Sequence, residues 1–300
     1  MLKPLTLRRN TALRKLISTF TLLVLCGCTT FSLVPTSSEP VEATSLPTET
    51  RTPTLAASPT ATLKPSPTAT PTAEMLDQVC SPLKDIELHD LHSITSQGFT
   101  PPAPYQDDGH PAVDLAFFTF EEMTSMLNHP VQSILSGRVA MVISDRFPYG
   151  NAILIETPLE RISPAMLGSL SLPTPIPQQN IDIIQPCVSN PLFKDMEPIR
   201  MSDSEKSIYI LYAHLIEPPT FKVGDEITCG EEIGKAGNSG NSAAEHLHLE
   251  SRVGPSEAQF TLFSTYDPES TVIERWNYCI WDSSGKFQPI DPTMLWQYAP

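Results

Sequence analysis

The sequence predicts a mainly β, antiparallel domain, and three observations carry that expectation. Apolar residues recur with period two in several short runs. Those runs are bounded by turns rich in Gly, Pro and Asn. No apolar run reaches the ~18–20 residues that a membrane-spanning helix needs, and the helical candidates are few and short.

In chain order, a short helix is expected over 82–96 and another over 120–127. Residues 131–144 read as two strands joined near Ser136-Gly137. After a Pro-Tyr-Gly-Asn turn, 152–157 is a short β-branched and aliphatic run. In 208–214, Ile208, Ile210, Tyr212 and His214 fall on one face of a strand, and Tyr209, Leu211 and Ala213 on the other. Turns at 223–226 and at Gly230 bracket 227–229. A small-residue loop, 237–244, precedes a last strand over 246–253. Between 158 and 207 eight prolines interrupt any periodicity. That stretch reads as a long inserted loop between strands that otherwise look like neighbours, and loops of this length are commonly functional.

Composition divides the 300 residues into three pieces. Residues 1–28 carry Lys3, Arg8, Arg9, Arg14 and Lys15, no acid, and then a short apolar run ending in Leu25-Cys26-Gly27-Cys28. This is the layout of a secretory signal. Its ending resembles a bacterial lipobox, which implies lipidation of Cys28, an extracytoplasmic location and a membrane anchor; an ordinary signal peptide or an uncleaved anchor is the plainer reading. Residues 29–75 hold eight prolines and thirteen threonines. They bury too little to offset their ordering entropy and read as an extended tether. Residues 76–300 hold every tryptophan and histidine, with 12 basic and 30 acidic residues, so the net charge of −15 is concentrated there. A duplex would repel such a surface, which excludes nucleic acid as a partner; a monomer is expected. The four cysteines of this piece, Cys80, Cys187, Cys229 and Cys279, predict two disulfides in an exported protein. Three pairings are open, and Cys187 would staple the insertion.

The histidines carry the chemistry. His110 stands four residues before Asp114, a weak signal alone, since most such pairs are surface residues. His246 and His248 flank Leu247; on a strand both imidazoles point to one face, with Cα atoms about 7 Å apart, and Glu250 continues that face. His214 ends its strand within Tyr212-Ala213-His214-Leu215. Two histidines and a carboxylate meet the three-ligand count of a catalytic zinc site with one open position. His89 and His92 read as surface residues, and His129 as a loop residue. No Gly-x-Ser-x-Gly elbow supports a serine hydrolase.

The ordered set H-x-x-x-D, Y-x-H-L, G-N-S-G and H-L-H-L-E resembles the lysostaphin-like (LytM-type) zinc endopeptidases. Gly137-Arg138-Val139, Tyr149-Gly150-Asn151, Val223-Gly224-Asp225 and Pro289-Ile290-Asp291-Pro292 fit the same framework. The resemblance implies an antiparallel sheet core with a groove holding zinc. It implies His110, Asp114 and His248 as metal ligands, and His214 and His246 as catalytic bases or acids. It also implies peptidoglycan stem or cross-bridge peptides as substrate. Tyr105 is a candidate further contributor. Ala112 replaces the glycine usual two residues after the first ligand. A non-catalytic peptidoglycan-binding or hydrolase-activating module on the same fold is the rival reading, and a zinc peptidase acting on proteins a third.

Overall fold

The computed structural model describes residues 75–101, 109–117, 125–173 and 186–298. Cys28, the 29–75 tether as far as residue 74, Tyr105 and most of the 120–127 helix lie outside these residues; 125–127 are not helical. The 82–96 helix contracts to a 3-10 segment, Leu88–Ile94.

Ten short strands bear out the mainly β expectation. They are β1 (Thr95–Gln97), β2 (Ala112–Leu115), β3 (Pro130–Gln132), β4 (Gly137–Arg146), β5 (Gly150–Pro158), β6 (Lys206–Leu215), β7 (Glu226–Ile227), β8 (Glu232–Lys235), β9 (Leu247–Pro255) and β10 (Gln288–Ile290). Every pairing between them is antiparallel. The main sheet runs β1-β2-β9-β6-β5-β4-β7, with β10 also pairing β9, and β3 and β8 form a separate ribbon. β5 and β6 do pair side by side, so the stretch between them is an insertion into a hairpin. It is more structured than a plain loop: it contains helices α1 (Pro164–Ser169) and α2 (Pro186–Ser189) and two 3-10 turns.

β6 is the central strand and is buried along all but its first residue. Its period-two alternation therefore feeds two cores rather than one core and solvent. Ile208, Ile210 and Tyr212 join Val113, Leu247 and Leu249 on one face. Tyr209, Leu211 and Ala213 join Phe260, Phe263, Trp276, Trp281 and Phe287 on the other. At about 1.5–3 kcal/mol for each fully buried large apolar side chain, both cores hold the sheet rigid beneath anything mounted on it.

The second core is closed by helix α3 (Val272–Asp282), which the strand-dominated reading did not anticipate. Its start is nevertheless written in the sequence as a capping box. The Thr271 hydroxyl accepts from the Glu274 amide at 3.3 Å, and Glu274 Oε2 accepts from the Thr271 amide at 2.7 Å. Cys187–Cys279 ties the insertion to α3, and Cys80–Cys229 ties the start of the domain to the turn after β7. A last short helix, α4 (Thr293–Gln297), follows β10.

Candidate metal centre and its cleft

Register brings the first cluster together. Asp114 on β2 pairs with His248 on β9, and His248 pairs on its other side with Ala213 of β6. Directly opposed residues share a sheet face, so Asp114 and His248 both point toward α3. His110, just before β2, is held by backbone hydrogen bonds in both directions with Thr100. Its Nε2 lies 3.1 Å from Asp114 Oδ1, and His248 Nδ1 lies 3.0 Å from the same oxygen. Ligand atoms of His110, Asp114 and His248 all fall within 4.8 Å of one another, as do those of His214, His246 and His248. Asp114 and His248 are each 9 % exposed.

His214 reaches this cluster against the alternation of its strand. Period two assigns it to the face of Tyr212, away from His248. The structure corrects that expectation: His214 has φ +61, the left-handed region, and the backbone twist turns the imidazole onto the opposite face. Its ring centroid is 4.7 Å from that of His246 and 5.4 Å from that of His248. The twist is held by the His214 amide donating to the Tyr149 carbonyl at 3.0 Å.

Two glycine turns brace this corner. Gly150 (φ +68) and Gly240 (φ +72) lie back to back, so close that a Cβ on either would overlap the other's backbone. The Ser239 hydroxyl accepts from the Asn151 amide and donates to the Leu215 carbonyl, while Asn151 Nδ2 reaches the carbonyls of Leu215 and Ile216. The motifs Tyr149-Gly150-Asn151 and Gly237-Asn238-Ser239-Gly240 are thus two halves of one clamp.

Hydrogen bonding sets the tautomers. His110 Nδ1 donates to the Gly98 carbonyl at 3.2 Å, His214 Nδ1 to the Ser239 carbonyl at 2.7 Å, and His246 Nδ1 to the Ala244 carbonyl at 2.9 Å. In a neutral ring each then offers Nε2 as a lone pair. His248 is inverted: Nδ1 faces Asp114, while Nε2 is buried without a hydrogen-bond partner. The donor set of His110, Asp114 and His248, two imidazoles and a carboxylate within 4.8 Å of one another, fits a borderline cation such as zinc.

The charge states follow from the same contacts. Burial raises the Asp114 carboxyl, but hydrogen bonds from His110 and His248 outweigh it and hold the group well below the usual carboxylate range. Burial, reinforced by the neighbouring His248 and His246, pushes His214 down to about 3, so it is a neutral base near pH 7. Burial opposes charge on His248, yet Asp114 and Glu250 raise it to about 9. A metal entering here would displace a proton from His248.

The cluster floors a cleft of 520 Å³ whose walls include Pro111, Pro148, Asn241, Ser242 and Tyr278. No lysine or arginine is among the described residues that line it. Sequence reasoning missed Tyr149 and Asp282 in this wall; Tyr149 lay within a recognised motif, whereas Asp282 carries no local signal. His89 and His92 are exposed and are not among the residues lining the cleft, and His129 Nε2 bonds the Lys84 carbonyl.

Among solved structures, the chain is similar to a zinc-containing peptidase from Vibrio cholerae, at 18% identity over 52% of this chain and 32% of that one, TM-score 0.29. It is similar to the catalytic domain of the antimicrobial peptidase lysostaphin from Staphylococcus simulans, at 20% identity over 56% and 86%, TM-score 0.31. It is also similar to a mutant catalytic domain of the prophage-encoded M23 protein EnpA from Enterococcus faecalis, at 16% identity over 55% and 85%, TM-score 0.31. The chain thus spans about a third of the Vibrio cholerae peptidase, and likenesses this remote transfer no residue's role. The more pointed match is local: residues 197–259, the stretch carrying β6, β9, His214, His246 and His248, match Peptidase family M23, as the lysostaphin-like resemblance of the motifs implied.

Proposed function

We propose that this chain is a zinc-dependent endopeptidase that hydrolyses peptide bonds of bacterial peptidoglycan, held at the membrane by a lipid on Cys28 and a tether over 29–75. The observation that carries the reading is the convergence of His110, Asp114 and His248 on one point beside two further imidazoles, His214 and His246, in one cleft.

His110 Nε2, Asp114 Oδ1 and His248 Nδ1 would hold the metal. A zinc ion bound there supplies a Lewis acid that polarises the scissile carbonyl and acidifies water. The remaining chemistry belongs to the chain. His214 and His246, each with Nδ1 tied to a backbone carbonyl, present Nε2 to the cleft. Between them they accept the proton of the attacking water and return it to the leaving amine nitrogen. Whichever ring carries that proton donates its Nε2–H toward the charge that develops on the carbonyl oxygen. Burial keeps His214 neutral until that moment. The absence of lysine and arginine from the described lining favours an internal bond over a chain end, because no cation is provided for a terminal carboxylate.

Incubation with purified peptidoglycan, with added zinc and with a chelator, tests the reading. Soluble fragments with new amino termini are expected only with zinc. Intact sacculi under both conditions would overturn it in favour of a binding module. Detergent-phase partition that is lost in Cys28→Ser tests the anchor.

A further inference from the structure

Behind the proposed ligand His248 lies a buried polar chain. Glu250 is 0 % exposed and stands two residues along β9 on the same face as His248. Its Oε2 lies 3.7 Å from His248 Nε2, the buried nitrogen that lacks a hydrogen-bond partner. Oε2 also accepts from the Tyr149 hydroxyl at 3.0 Å, and the Tyr149 oxygen accepts from the Trp281 indole at 3.2 Å. Oε1 accepts from Arg252 Nε. Arg252, likewise 0 % exposed, lies 5.0 Å over the Trp281 ring. It donates to the carbonyls of Trp281, Asp282 and Phe287 and to the Asp282 carboxylate at 2.7 Å.

Two carboxylates share one guanidinium in this chain, so negative charge is left over where Glu250 meets His248. A neutral imidazole has a single N–H. If Nδ1 is to bind a cation, that hydrogen must sit on Nε2, and Nε2 points at Glu250. A carboxylate there favours this tautomer, fixes the ring's rotation and makes Nδ1 a stronger ligand. A purely structural ion pair would need only Arg252; it would not need Oε2 turned toward an otherwise unpartnered imidazole nitrogen.

We propose that Glu250 is a positioning residue of the metal centre. It orients His248 and selects its tautomer, and is itself held by Tyr149, Arg252 and the C-terminal end of α3. Residues 272–287 lie beyond the segment matched to Peptidase family M23, so on this view α3 is part of the metal site's support as well as a wall of the cleft. The inference rests on the metal-centre reading.

The test titrates the full chain with zinc alone against a chromophoric chelator, and records imidazole nitrogen signals of His248 by NMR. The wild-type chain is expected to bind one zinc with Nε2 of His248 protonated. Glu250→Gln is expected to weaken zinc binding by about 10- to 100-fold and to shift or broaden the Nε2–H signal. Tyr149→Phe, which removes only one hydroxyl, should weaken binding in the same direction by less, with the metal-free melting temperature little changed. If Glu250→Gln fails to fold, Tyr149→Phe decides. Wild-type zinc affinity and an unshifted His248 signal in the folded variants would overturn the positioning role and leave the metal centre standing. A wild-type chain that takes no zinc would overturn both.

Discussion

His214 and His248 stand on adjacent strands with ring centroids 5.4 Å apart, although strand alternation assigns their side chains to opposite faces of the sheet. The left-handed φ of His214 resolves the conflict. Such a conformation costs on the order of 1–3 kcal/mol in a non-glycine residue, and here it delivers a neutral imidazole to the cleft. Asn tolerates this region and Val does not. His214→Asn should therefore melt close to the wild type while losing about 10²- to 10⁴-fold in turnover. His214→Val should lose turnover and also stability. Thermal unfolding beside a hydrolysis assay reads both; a Val variant as stable as the Asn variant would show that the twist imposes no demand.

The two imidazole groups should separate by metal content. Asp114 Oδ1 lies 3.1 Å from His110 Nε2 and 3.0 Å from His248 Nδ1, and Asp114→Asn removes the charge and leaves only a weakly ligating amide oxygen there. Zinc measured on the dialysed protein should fall from stoichiometric to near zero, and turnover with it. His246→Ala should keep its zinc and lose most hydrolysis, since its Nδ1 is tied to Ala244 and its Nε2 only flanks the cluster at 3.6 Å from Asp114. Loss of zinc in His246→Ala would move that residue into the ligand set.

Much of this was legible in the sequence, and the rest was hidden for physical reasons. The strands β6 and β9 follow from period two, and β5 from a β-branched and aliphatic run after a turn. The partnership of Asp114 with His248 spans 134 residues and is set by register, which no local spacing encodes; only the resemblance of the ordered motifs pointed to it. The face of His214 was misread because period two assumes extended dihedrals at every residue. Helix α3 announces itself in Thr271-x-x-Glu274 with Trp276, Ile280 and Trp281 at helical spacing, a signal that a search for strands passes over. Glu250 was legible only as a continuation of the His246 and His248 face, and Arg252 carried no signal, since burial on that side depends on α3 packing over it.

The glycine clamp makes a sharper demand than most turns. Gly150→Ala and Gly240→Ala each put a methyl group into the other turn's backbone at a positive φ. Neither backbone can yield without moving Ser239, whose carbonyl holds His214. Each variant should melt lower, by more than the ~1 kcal/mol of an ordinary Gly→Ala conflict, and should lose turnover even well below its melting temperature. Gly168, whose Cβ would meet nothing within 4 Å, is the control, and Gly168→Ala should change neither.

The two disulfides should differ in what they protect. Each closes a long loop, with separations of 149 and 92 residues, and loss of either should cost about 2–5 kcal/mol. Cys80–Cys229 fastens residues near β3 and β7, far along the sheet from the cleft. Cys187–Cys279 fastens the insertion to α3, whose Tyr278 and Asp282 line the cleft and whose end holds Arg252. The paired variant Cys80→Ser/Cys229→Ser should therefore melt lower yet turn over normally at temperatures where it is fully folded. Cys187→Ser/Cys279→Ser should lose turnover severalfold at those same temperatures, because α3 is freed at the residue next to Tyr278 and Ile280. Equal turnover in the two folded variants would mean that packing of Trp276 and Trp281 alone fixes the helix. The insertion would then be a passenger on the cleft rather than part of its wall.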